Sequence, residues 1–224
     1  MFLENEDITE LDAGFSIIQR KDGFRFGTDA VLLSDFFQGK KKGRVLEIGT
    51  GNGIIPILLK IKNKIENIDC LEIQEEVSHL AKRNVKRNGM EDSINIVNMD
   101  VNDFQERNSY DYILSNPPYM TLDGKQLNSS DTKIIARHEL KLNLSSLFQM
   151  AKKILKPRGE IFLVHRSYRF YEISKELEKN GFSLKRVKFV YFSKEKSSNL
   201  VLIQASKGRK NILEIEPPIF LNEN

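Results

Sequence analysis

Between Arg44 and Leu59 a short apolar run, Arg44-Val45-Leu46-Glu47-Ile48, passes into three alternate glycines, Gly49-Thr50-Gly51-Asn52-Gly53, and then into an apolar stretch carrying Pro56. The run predicts a short strand buried in a sheet. Proline is tolerated in the first turn of a helix, so a helix beginning near Ile54 follows. Glycines in such a turn let backbone amides approach a ligand closely, and the helix N-terminus favours a ligand carboxylate or phosphate. The spacing is Gly-x-Gly-x-Gly. A dinucleotide fingerprint wants its third glycine where this chain has Ile54, and no Lys-Ser/Thr follows as a Walker loop requires.

The alternation continues on both sides of this unit. Gly14 to Phe26 reads as a small hairpin, with Phe15-Ser16-Ile17-Ile18 and Phe24-Arg25-Phe26 flanking a Lys21-Asp22-Gly23 turn. Thr28 or Asp29 then caps a helix through Phe37 that ends at Gly39. A strand over 67–73 ends near Glu72, roughly 20 residues past the glycine loop, where an acid can accept both hydroxyls of a ribose or can simply be solvated. A helix from about Gln74 to Asn88 stops at Gly89, and its Lys82, Arg83, Lys86 and Arg87 read as a solvated face. Ile94 to Val97 is a third strand. Asp100 after it, or Asp103, can accept a hydrogen bond from an adenine amino group or can be a turn residue.

Tyr110 to Leu114 is the fourth strand of the alternation, and it delivers Asn116-Pro117-Pro118-Tyr119 at its C-terminal edge, where open α/β sheets place ligands. An aromatic exocyclic amine is a poor nucleophile because its lone pair is delocalised into the ring. Two acceptors converging on it, the Asn116 side-chain oxygen and the Pro117 carbonyl, answer that problem, and consecutive prolines stiffen the loop. Tyr119 offers a flat face to a base swung out of its stack. A plain turn at a strand end is the competing reading. The polar stretch from Met120 to Leu140 is an active-site loop or lid, with Arg137-His138-Glu139 near its end.

A helix over 144–155, a strand over 160–165 and a helix over 168–180 follow. The two runs 182–192 and 199–205, joined by a short polar link, must pair antiparallel, because a parallel pair needs a crossover. That makes seven strands with the last reversed. Lys207-Gly208-Arg209-Lys210 and Pro217-Pro218 read as an extended surface segment.

With 224 residues the chain suits one α/β domain. Cys70 is the only cysteine, which provides neither a disulfide framework nor a cysteine metal cluster, and His79 and His165 lack partners suggesting metal. No apolar stretch approaches the roughly 20 residues of a membrane helix, and the acidic start lacks a signal peptide's basic region, so a cytoplasmic protein is expected. Net charge is +4, but residues 152–210 hold 16 Lys and Arg against 5 Asp and Glu, a balance of +11 that leaves −7 for the rest. That asymmetry suits a polyanionic partner, or else solvated faces.

Phe24 to Leu33, Glu47 to Gly53, Asn116 to Tyr119, Ala136-Arg137-His138-Glu139, and the terminal Ala205 to Gly208 with Pro217-Pro218 together resemble the class I methyltransferases that use S-adenosylmethionine. Within that group the chain is most similar to the bacterial tRNA(Val)-type adenine-N6 enzymes. The resemblance implies a Rossmann-like seven-stranded α/β sheet of order 3-2-1-4-5-7-6 with strand 7 antiparallel, carried by residues 44–224 behind an N-terminal hairpin and helix in 1–43. It implies S-adenosylmethionine as cofactor and a flipped adenine of the tRNA anticodon arm as substrate. Carried over by position, the catalytic residues are Asn116, Pro117, Pro118 and Tyr119. The cofactor residues are Phe26, Thr28 and Asp29, Glu47 with Gly49, Thr50, Gly51, Asn52 and Gly53, Glu72 and Ile73, Asp100 and Val101, and Asn116 again. Substrate contacts fall to Tyr119, Arg137, His138, Lys207, Arg209 and Lys210. The same tetrapeptide would serve a protein glutamine-N5 or an rRNA guanine-N2 methyltransferase, and a non-catalytic RNA-binding module could retain the fold.

Overall fold

A computed structural model describes residues 4–21, 25–119, 144–210 and 212–222. The main sheet has β3 (Val45–Ile48), β4 (Ile68–Glu72), β5 (Ile94–Asn98), β6 (Tyr110–Ser115), β7 (Leu155–Arg166), β8 (Phe182–Tyr191) and β9 (Ser198–Lys207). From one edge they run β5-β4-β3-β6-β7-β9-β8. Numbering those seven in chain order gives 3-2-1-4-5-7-6, as expected, and only β9 runs against its neighbours.

Helices cover both faces, as a mostly parallel sheet requires. On one side α1 (Thr28–Phe36), α2 (Ile54–Ile61) and α3 (Glu75–Arg87) bury Leu33, Ile57, Leu59 and Ala81 against Val45, Cys70, Leu114 and Phe162. On the other, α4 (Leu144–Ile154) and α5 (Phe170–Lys179) bury Phe148, Ile154, Ile173 and Leu177 against Leu46, Ile113, Ile161 and Val187. Thr28 and Asp29 are the first two residues of α1, and Gly27, not either of them, occupies the cap position. β7 begins five residues earlier than the sequence suggested: Leu155 pairs with Tyr110 before Pro157, Arg158 (φ +66°) and Gly159 bulge out, and pairing resumes at Glu160.

The N-terminal hairpin is not the expected one. β2 (Ser16–Arg20) pairs antiparallel with β1 (Glu6–Glu10) before it, while residues 25–27 form no strand and residues 22–24 lie outside the described residues. The reason lies in the edges of β2. One edge takes β1. On the other, Asn84 and Asn88, one turn apart on α3, each accept from and donate to the backbone, at Ile18 and Ser16 respectively, with distances of 2.7–3.0 Å. The two amides complete the strand as a neighbouring strand would, so no edge remains for Phe24 to Phe26. Arg83 clamps buried Glu6 through two bonds of 2.6 and 2.7 Å, and Arg87 donates to Ser16 Oγ. These two arginines of the supposedly solvated face therefore hold the hairpin.

The C-terminal segment also finds an edge. The two-residue strands β10 (Glu214–Ile215) and β11 (Ile219–Phe220) lie parallel to the outer side of β8, so the expected surface segment is extended but sheet-paired. Arg186, buried on β8, donates to Gln204 of β9 and to the Phe36 carbonyl at the end of α1, and pairs with Glu216 between β10 and β11.

Candidate active site

Ile48 and Ser115, the last residues of β3 and β6, sit opposite each other, and Ser115 Oγ donates to the Ile48 carbonyl at 2.9 Å. Gly49 and Asn116 therefore leave the sheet from adjacent strands, roughly 5 Å apart. Here the strand order reverses, toward β4 on one side and β6 on the other. Open α/β sheets hold ligands in that crevice.

Gly49 and Gly51 have φ of +77° and +59°, left-handed values that strain any side chain, and a Cβ on either would meet nothing within 4 Å. The loop is both bent and open above. Gly53 shares the left-handed backbone, φ +82°, and differs in lying in ordinary contact distance of Ala81 on α3, where a Cβ would stand at 3.4 Å. Beneath the loop Leu71 O accepts from the Gly49 and Thr50 amides, and Glu72 accepts from Gly51 N at 3.0 Å and Gln74 N at 2.9 Å. A carboxylate has about four lone-pair positions, so both Glu72 oxygens retain acceptor capacity for ligand hydroxyls. Glu47 is fully buried. Thr50 Oγ1 donates to its Oε2, while Oε1 has no partner. Burial, and secondarily the Glu72 charge, pushes the Glu47 carboxyl up to about 8. Asn52 is buried too; its carbonyl accepts from Asn84, and its Nδ2 has no partner.

S-adenosylmethionine, the cofactor the resemblance implies, fits this set. Open glycines admit a nucleoside, and Glu72 can take its ribose. At the next strand end, Asp100 Oδ1 accepts from Asn102 N at 2.9 Å and so caps the turn Val101–Asp103. Val101 is buried and Ile73 half-buried beside these strand ends. Phe26 packs on the core and donates its amide to Gln19, and Thr28 is exposed.

Within the tetrapeptide Pro117 is buried and Pro118 exposed. Asp29 organises the other two: its Oδ2 accepts from Asn116 Nδ2 at 3.2 Å and from Tyr119 Oη at 3.1 Å. An amide that donates through nitrogen must present its oxygen elsewhere, and Asn116 Oδ1 lies 2.5 Å from Tyr119 Oη, where it shares the single phenol proton with Asp29. Burial and the Asp29 charge keep the Tyr119 phenol protonated far above its usual range. His165 and Arg166, at the end of β7, flank the ring: the imidazole centroid lies 5.0 Å away and the guanidinium carbon 5.1 Å. Burial and Arg169 lower the His165 imidazole to about 4, so it is neutral near pH 7, and its Nδ1 accepts from Arg166 N at 2.8 Å.

The sequence therefore missed two things here. It did not show that Asp29, given there as a cofactor residue, bonds the tetrapeptide 87 residues on, and it left His165 and Arg166 without a role. No sequence signal connects residues so distant. Two substrate candidates, Arg137 and His138, lie outside the described residues. The other three need correction. Because β9 runs against β7, Lys207, Arg209 and Lys210 emerge at the opposite rim of the sheet from Asn116, with Ser206 opposite Glu160 and Val201 opposite His165. At about 3.3 Å per residue that is on the order of 20 Å down the sheet. Lys207 Nζ is moreover engaged with the Leu155 carbonyl at 2.5 Å and Asn108 Oδ1 at 3.0 Å. These cations are not part of the cleft.

Comparison with known proteins gives a concordant picture. The family model described as methyltransferase small domain matches residues 20–190. A curated tRNA1(Val) (adenine(37)-N6)-methyltransferase from Dyadobacter fermentans is 27% identical, with 93% of this chain and 87% of the relative covered. The protein of the same description from Tolumonas auensis is 29% identical over 86% and 81%. Among solved structures, a predicted O-methyltransferase from Agrobacterium tumefaciens superposes with a TM-score of 0.68 at 18% identity, covering 86% of each chain. A Pyrococcus horikoshii TYW2 structure in complex with MeSAdo gives 0.63 at 15%, covering 92% of this chain and 73% of that one. At such identities the structures speak for the fold alone.

Proposed function

The chain belongs to the methyltransferase small domain family, and from that premise we propose that it methylates the exocyclic N6 of an adenine in tRNA, beside the anticodon of a tRNA(Val). The observation that carries the reading is the triad of Asp29, Asn116 and Tyr119 at the mouth of the glycine-loop crevice. The names of the curated relatives support the choice of substrate, a tRNA substrate is in keeping with a cytoplasmic protein, and no described helix is long and apolar enough to cross a membrane.

When bound, S-adenosylmethionine would supply a methyl carbon already activated by its sulfonium for an amine nucleophile, with the C–S electron pair going to sulfur. Asp29 fixes the Asn116 amide with nitrogen inward and oxygen toward the crevice. The adenine amine takes the place of the Tyr119 hydroxyl at Asn116 Oδ1, and the Pro117 carbonyl receives its second N–H. Both bonds strengthen as N6 pyramidalises and gains positive charge, which is stabilisation specific to the transition state. The surplus N6 proton then leaves to water. Tyr119 retains its bond to Asp29 and offers its face to the base, with neutral His165 behind it. Glu72 holds the ribose, and Asp100, through the lone pairs its turn leaves over, takes the cofactor's adenine.

Mass spectrometry of nucleosides from tRNA of a strain lacking the gene, incubated with purified protein and S-adenosylmethionine, tests the reading. New N6-methyladenosine is expected. Methyl transfer to protein glutamine or to guanine instead would keep the crevice chemistry and overturn the substrate.

A further inference from the structure

Among the described residues, all three exposed aromatic side chains stand on one stretch of surface. Tyr168 and Tyr171, 56% and 72% exposed, follow the end of β7, and Phe192, 49% exposed, follows the end of β8. Both strands run parallel to β6, so these side chains share the rim of Asn116. Ser167 Oγ donates to the Ser198 carbonyl and Arg166 Nη1 to Asn199 Oδ1 at 2.7 Å, which ties the turn after β7 to the start of β9. The same Arg166 guanidinium lies against the Tyr119 ring.

A single exposed aromatic is ordinary and needs no explanation. Three at the rim beside the catalytic tyrosine, with cations among them, are a different matter. Lys175 Nζ lies 5.0 Å from the Tyr171 ring centroid and Lys196 Nζ 4.8 Å from that of Phe192, and Lys194, two residues after Phe192, is exposed. Flat faces interleaved with ammonium groups match unpaired nucleotides, whose bases stack on aromatics and whose phosphates attract cations. A duplex would hide its base faces from such a surface. Extracting one base also leaves its neighbours short of a stacking partner.

We propose that the rim formed by residues 166–171 and 192–196 is where the unpaired nucleotides flanking the target adenine dock, bases on the aromatic rings and phosphates beside the lysines. The inference rests on the tRNA reading above. It is tested with the whole protein, an anticodon stem-loop RNA as probe and full tRNA as substrate. Tyr171→Ala with Phe192→Ala should weaken stem-loop binding roughly tenfold or more, with S-adenosylmethionine affinity and the salt dependence of RNA binding unchanged. Tyr171→Phe with Phe192→Tyr keeps the flat faces and should restore binding. Lys194→Ala with Lys196→Ala should instead reduce the salt slope by about one to two. If the wild type methylates tRNA while the double alanine variant keeps wild-type affinity and rate, the docking surface is wrong and the tRNA reading stands. If the wild type neither binds nor methylates tRNA, the substrate reading fails and the docking surface with it.

Discussion

The two rims of the sheet are built from similar residues and use them in opposite ways. At the rim opposite the crevice a cavity of about 280 Å³ opens among the starts of β3, β4 and β5, lined by Lys42, Arg44, Glu66, Asp69, Glu91 and Asp92. Part of the charge at this rim is spent within it. Arg44 pairs with Glu106 and donates to the Tyr110 hydroxyl, which donates to Asp69; Lys156 pairs with Asp111; and Lys207 caps two oxygens. At the crevice rim the polar groups are left in deficit: a buried Glu47 oxygen and the Asn52 amide nitrogen lack partners, two glycines hold left-handed backbone under open space, and aromatic rings face water. The unpartnered buried atoms beside the glycine loop, at the ends of adjacent strands, are what point to function there.

That contrast can be broken most directly at Asn116. Asn116→Ala should lower turnover by about 100- to 1000-fold while cofactor affinity, measured by calorimetry, changes only a few fold. An equal loss of cofactor affinity would remove Asn116 from the methyl-transfer step. Next in size comes Asp29→Asn, which exchanges a charged acceptor for a neutral amide that need not orient Asn116; turnover should drop roughly tenfold or more with KM for tRNA little altered. A rise in KM alone would make Asp29 a substrate or cofactor contact instead. On the other rim, Lys207→Met should lower stability by about 1–2 kcal/mol in chemical denaturation and leave kcat/KM intact, and Arg209→Ala with Lys210→Ala should alter it less than about twofold, as solvated cations far from a site do. A large activity loss there would put RNA across both rims.

The smallest effect sharpens the notion of deficit. Because the Glu47 carboxyl is raised from 4.5 to about 8 in the fold, the folded state binds the extra proton between those values. The stability that protonated Glu47 permits is therefore complete below about pH 4.5 and is lost as pH rises through about 8. Glu47→Gln should flatten the fall of Tm with pH in that window, measured without cofactor. An unchanged slope would mean that Glu47 is not the group in deficit.

Elements set by neighbouring residues were legible in the sequence, and partnerships across the chain were not. The strand–glycine–helix unit, the tetrapeptide and the reversed β9 all follow from spacing and connection length. The sequence shows two flat-sided runs around a Lys-Asp-Gly turn and reads a hairpin, but Asn84 and Asn88 had already claimed one edge of β2 from 66 and 72 residues away. The basic run 207–210 looked like a nucleic-acid contact because composition carries no direction; only the antiparallel course of β9 sends it to the far rim. The bonds of the Asp29 carboxylate to Asn116 and Tyr119 were hidden for the same reason.

The buried guanidinium of Arg186 has a bearing on how the protein comes apart. It bonds the Phe36 carbonyl, 150 residues earlier, while also holding Gln204 and Glu216. Withdrawing the C-terminal segment would strip the cation of its counter-charge in a dry interior, and withdrawing α1 or β9 would remove one of its hydrogen bonds, costs that discourage partial opening. Loosening of α1, the helix bearing Asp29, therefore carries the loss of a buried bond to Arg186. Heat or denaturant should accordingly abolish activity and structure in one and the same transition.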